Sequence, residues 1–107
     1  MSKPKLTKEE ASLYNELLAL NWDNAYIELS DILYHTKGRQ MGIAYIIEAL
    51  EAKGFLLVGL EYHVLKELRV TTFTPITKSG AYGYPAEDDF KDYNEWMQNA
   101  VEVSSAV

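Results

Sequence analysis

The side chains best suited to recognition chemistry lie in Lys37-Gly38-Arg39-Gln40 and along the helical pattern that follows. Arginine donates to guanine O6 and N7, and glutamine bonds adenine bidentately, so Arg39 and Gln40 carry groups that read base edges. Tyr45 adds a phenol on the outward side of the same pattern. Lys37, with Lys66 and Arg69 further on, supplies cations of the kind that neutralise phosphates. Other chemistries find no such support. The chain has no cysteine, so disulfides and thiolate metal sites are excluded. His35 and His63 stand singly, with no second ligand at a helical spacing, and no metal site is expected. No phosphate loop, nucleophile elbow or dinucleotide fingerprint occurs. Asp88 and Asp89 read as charges at a helix start rather than catalytic carboxylates. Neither an enzyme nor a bound cofactor is expected.

Several elements must hold those groups in place. Ile43, Ile46, Ile47 and Leu50 recur at i, i+3, i+4 and i+7, the apolar face of a helix spanning roughly Arg39 to Lys53. Gly54 provides the left-handed position that ends it. Before it, Glu28 to His35 predicts a short helix with Leu29, Ile32 and Leu33 inward, and Thr36-Lys37-Gly38 makes the turn. Thr7-Lys8-Glu9-Glu10 is a capping box opening a first helix to about Leu20. Trp22 is the expected anchor between that helix and a short extended segment, Ala25 to Ile27. After Gly54, Phe55 to Leu60 and Leu68 to Ile76 predict a hairpin with Glu61 to Glu67 as its tip.

This order of helix, short strand, two helices, hairpin and a last helix points to an α+β winged helix-turn-helix, a three-helix core plus a β-hairpin wing, with an additional C-terminal helix. It resembles the MarR- and PadR-like small bacterial regulators at three places. Ile27-Glu28-Leu29-Ser30-Asp31-Ile32-Leu33 is similar to their second-helix entry. Ala49-Leu50-Glu51-Ala52-Lys53-Gly54-Phe55-Leu56 is similar to their third-helix exit. Phe73-Thr74-Pro75-Ile76-Thr77-Lys78-Ser79-Gly80 is similar to the strand after the wing. The match covers about residues 7–80 and implies a recognition helix in the DNA major groove. It carries the expected DNA-binding set to Lys37, Arg39, Gln40, Tyr45, Lys66 and Arg69. The function it implies is that of a small dimeric, sequence-specific transcriptional regulator of prokaryotic, plasmid or viral type.

Composition limits that expectation and supplies its rival. At 107 residues there is room for one modest core. A net charge of −6 is not that of a nonspecific nucleic-acid coat. The acidity is concentrated late: residues 1–80 carry nine Lys/Arg against ten Asp/Glu, while residues 81–107 carry Lys91 against six acids. No apolar run approaches the ~18 residues of a membrane span, and the charged start MSKPKLTKEE lacks a signal-peptide core. A cytoplasmic protein is expected. Residues 1–80 are read as the winged-helix domain and 81–107 as a connector plus amphipathic helix from about Ala86. Its Phe90, Tyr93, Trp96, Met97 and Val101 are the expected homodimer interface. The outward side of the third helix, with Gly42, Ala44, Tyr45, Glu48 and Ala49, is small, apolar and acidic. That supports an alternative, a winged-helix module that binds protein and not DNA. A component of a replication or partition complex is a further possibility.

Overall fold

Thr7 and Glu10 close the start of the first helix reciprocally. The Glu10 N–H donates to Thr7 Oγ1 at 3.2 Å, and the Thr7 N–H donates to Glu10 Oε1 at 3.0 Å, satisfying two donors that a helix start leaves orphaned. The helix α1 then runs Lys8–Asn21. A computed structural model describes residues 4–36, 42–83 and 92–103. Within them follow β1 (Ile27–Glu28), α2 (Leu29–His35), α3 (Ile43–Ala52), β2 (Leu56–His63), β3 (Leu68–Pro75) and α4 (Tyr93–Met97). The result is an α+β arrangement with an antiparallel three-stranded sheet in the order β1-β3-β2. None of the described helices is long and apolar enough to cross a membrane.

The two ends of α3 show why local chemistry sets its length. At its C-terminus the Gly54 N–H reaches the Glu51 carbonyl at 3.0 Å and the Phe55 N–H reaches that of Leu50 at 2.9 Å. This is a Schellman closure, which needs the left-handed backbone that Gly54 adopts at φ 83°. At the other end Gly42 takes φ 89° as the residue before the helix. A left-handed residue cannot continue a right-handed helix, so α3 begins at Ile43. The expected start at Arg39 is corrected accordingly.

The core gathers α1, α3 and the inner face of the sheet. Leu13, Tyr14, Leu17 and Leu18 pack with Ile27, Ile32, Ile43, Ile47, Leu50, Leu56 and Phe73. Ile46 is half-buried at its edge. Leu29, expected inward, is instead exposed at the start of α2, and of the three apolar α2 positions only Ile32 is fully covered. A salt bridge from the Lys53 ammonium to Glu10 joins the end of α3 to the start of α1. Burial pushes the Glu10 carboxyl up, but Lys53 and the Thr7 N–H outweigh it and hold the group below the usual carboxylate range.

The C-terminal segment joins this same core. Trp96 is 0% exposed, and its indole N–H donates to the Leu18 carbonyl at 2.7 Å. That carbonyl is available because the Trp22 N–H bonds Ala19, three residues back, at 3.3 Å and not Leu18, four back. Trp22 packs edge-on against Tyr93 with centroids 6.1 Å apart. Asn15 clamps the backbone beyond α4: its Nδ2 donates to the Val101 carbonyl at 2.7 Å, and its Oδ1 accepts from the Val101 N–H at 2.8 Å. The expected long helix carrying a stripe from Phe90 to Val101 is therefore corrected. Asp92 caps a helix of five residues, and Val101 lies past its end in a non-helical strand of chain. Phe90 lies outside the described residues.

Two outcomes follow from this packing. Trp96→Ala removes a large buried side chain and its hydrogen bond, and should lower unfolding free energy by about 3–5 kcal/mol, measured by urea titration. Asn15→Ala should cost less, about 1–2 kcal/mol, and should expose the segment after Met97 to early hydrogen exchange. Equal protection of that segment in both proteins would contradict the clamp.

Tyr14 gives a pH dependence with a definite sign. Its hydroxyl donates to the Ile76 carbonyl at 2.7 Å, and burial pushes the phenol up to about 12 from 10.0. Because the folded value is raised, the contribution is complete below the unfolded value and is lost as pH rises through the folded one. Between about pH 10 and pH 12 the wild type should lose roughly 2–3 kcal/mol more stability than Tyr14→Phe. Parallel pH profiles of the two proteins by thermal or urea unfolding would refute this.

Candidate nucleic-acid interface

Position in the chain decides which expected contacts the fold brings to one surface. Lys37, Arg39 and Gln40 lie outside the described residues. The start of α3 at Ile43 nevertheless puts all three before the helix, in the stretch that joins α2 to α3. Tyr45 stands on α3 in its first turn, 78% exposed. Around it Ala44, Glu48, Glu51 and Ala52 are also exposed, so the outer side of α3 presents a phenol and two carboxylates but no cation.

The hairpin carries the other two expected cations. Its strands pair without a break from Leu56↔Pro75 to His63↔Leu68. The expected tip, Glu61 to Glu67, is therefore corrected: Glu61, Tyr62 and His63 extend β2 because their peptide groups find partners in Leu68, Arg69 and Val70. A 3₁₀ turn, Val64–Lys66, closes the tip, with Glu67 in the left-handed region at φ 48°. Lys66 lies in that turn and Arg69 faces Tyr62 across the ladder, both exposed. No hydrogen bond or ion pair among the described residues links Tyr45, Lys66 and Arg69.

Three features of this surface escape a reading of the sequence. Leu57, Leu60, Tyr62, Val64, Leu65 and Leu68 are all exposed on the hairpin, with Leu65 at 101%. Alternation alone marks one face of a strand as inward, but it cannot say where the core stops, and the outer half of the ladder extends past it. A groove of about 390 Å³ runs between α2 and α3, lined by Leu29, Leu33, Ile43, Ile47 and Phe73. Finally, the Tyr26 hydroxyl and His63 Nε2 share a hydrogen bond of 3.0 Å, with Glu28 4.0 Å from the same nitrogen. That trio braces the far end of β2 against β1 and the residue before it. Glu28 and His63 are far apart in sequence, and their side chains approach across β3, the strand between theirs.

Of the expected interface residues at the C-terminus, Trp96 is corrected to a core position where no second chain can reach it. Met97 and Val101 are partly buried against the same core. Tyr93 stays exposed on one side while its ring meets Trp22. Among the described residues no group of three His, Asp or Glu side chains is arranged to hold a metal ion. No family model, no curated protein and no solved structure matches this chain.

Proposed function

We propose that this chain is a winged-helix protein that binds double-stranded DNA and acts as a small transcriptional regulator. One observation carries the reading: the element order α1-β1-α2-α3-β2-β3 with the sheet order β1-β3-β2. In that arrangement α3 is the recognition helix and the β2–β3 hairpin is the wing. Lys37 and Arg39 precede the helix, and Lys66 and Arg69 flank the wing tip. These four supply the phosphate contacts, while Gln40 and Tyr45 are the side chains offered to base edges. The concentration of acid in residues 81–107 leaves the winged-helix portion nearly neutral, so a few local cations can act without a large opposing field.

A second reading, a winged-helix module that binds protein, is favoured by the outer side of α3. Ala44, Tyr45, Glu48 and Glu51 lie open there with no lysine or arginine among them. Salt dependence separates the two. For DNA binding, selection from random duplexes should enrich one sequence, and affinity should fall steeply with salt, at about 0.9 decade per decade of salt for each phosphate neutralised. Lys66→Ala and Arg69→Ala should each reduce that slope by about one unit without changing the preferred sequence. Absence of any duplex binding at about 50 mM salt rejects the regulator and leaves the protein-binding module.

A further inference from the structure

We propose that the free edge of β2 is a self-association surface, on which a second copy of this chain pairs antiparallel about Leu60. The proposal stands apart from DNA binding. It begins with the phase of the backbone. The Ile76 N–H donates to the Phe55 carbonyl at 2.9 Å, and the ladder continues in register from Leu56↔Pro75. Antiparallel geometry then alternates, so that Leu57, Gly59, Glu61 and His63 turn their peptide groups toward β3. Val58, Leu60 and Tyr62 turn theirs to the open edge. β2 is the terminal strand of the sheet, and no strand of the described residues pairs with that edge.

Monomeric proteins blunt such an edge with prolines, lysines, bulges or short strands. β2 uses none of these. It is eight residues long, pairs with no bulge, and in Leu-Leu-Val-Gly-Leu-Glu-Tyr-His has a single carboxylate and neither lysine nor proline. Its side chains add to the case, since Leu57, Leu60 and Tyr62 are left in water.

Self-complementarity selects the occupant. With Leu60 opposite Leu60 of the second copy, Tyr62 falls opposite Val58, an aromatic to β-branched pair of the favoured kind. Glu61 falls opposite Gly59, where no side chain competes, and the nearest like charge, Glu61 of the second copy, lies on the diagonal at about 7–8 Å. His63 falls opposite Leu57. The same register carries each hairpin tip, with Val64 and the fully exposed Leu65, to the start of β2 in the other copy, beside Phe55 and Leu56. One arrangement thus pairs the peptide edge and covers most of the apolar side chains that the hairpin exposes.

The absence of cysteine makes the test direct. Paired Cα atoms at a hydrogen-bonded antiparallel position are ~5.5 Å apart, within disulfide range. Leu60→Cys should therefore cross-link to itself under mild oxidation, whereas Thr71→Cys, on the same face but one strand in, should not. Wild type should sediment as a concentration-dependent dimer at about 10–100 μM. Leu60→Lys, which sets like charges opposite, should weaken dimerisation by roughly tenfold or more, while Thr71→Lys should not. Circular dichroism of each variant checks its fold, and Tyr62→Lys repeats the test at the edge should Leu60→Lys fail to fold. A wild type that is monomeric throughout that range overturns the proposal. So does a dimer that survives both lysine variants with no Leu60→Cys cross-link, which would mean association through another surface.

Discussion

The constraint on which the structure turns is the width of the apolar surface on α1. Ala11, Leu13, Tyr14, Leu17 and Leu18 are all buried, with Asn21 beside them, so more of the helix is covered than one facing element can reach. A stripe of this breadth needs cover from two directions. The sheet and α3 supply one, where Tyr14 meets Phe55 edge-on at 5.4 Å between centroids and bonds Ile76. The other falls to the C-terminal segment, through the Trp96 indole on Leu18 and the Asn15 clamp on Val101. In a chain of 107 residues a small core has little surplus stability. The aromatic segment after the hairpin is consumed in completing it.

What could be read in the sequence was whatever depends on neighbours along the chain. The Thr7/Glu10 box, the isoleucine face of α3 and the Gly54 stop each arise from residues within a few positions of one another. Where a local feature has two meanings, sequence alone chose badly. Gly42 within an apolar helical pattern can be a tolerated interior glycine or a left-handed break, and only the backbone at φ 89° distinguishes them. The stripe from Phe90 to Val101 has helical spacing, but Val101 is held by a side chain eighty-six positions away. No periodicity within the segment encodes that competitor. The same limit hid the Tyr26–His63 hydrogen bond, which depends on strand order.

The candidate site was legible to a different degree. Lys66 and Arg69 were expected at or near an exposed hairpin tip, and that is where they stand. Tyr45 was expected outward on the third helix, and it is. Whether these side chains touch a base or a phosphate is not a matter of chain geometry at all. It depends on a ligand whose charge and shape the protein must match. The exposed side of α3 limits that match, because two carboxylates there add a repulsive term against phosphate while cations lie at the margins. Under the proposed DNA-binding reading, recognition leans on Lys66 and Arg69 of the hairpin and on the cations that precede α3 in the sequence.

Pairing at β2 would change what that surface can do. An antiparallel contact that keeps equivalent side chains on the same face has its two-fold axis perpendicular to the sheet. Both copies then turn their core faces, and hence both α3 helices, to the same side of one six-stranded sheet. A duplex read by both helices is read as an inverted repeat, with half-site spacing set by the separation of the two helices. The same two-fold doubles the number of cations that meet one ligand, a gain in avidity that a single weakly charged copy lacks. Placing the symmetry axis at Leu60 leaves Trp96 free to stay buried against α1. The hairpin is then the element on which both association and recognition depend.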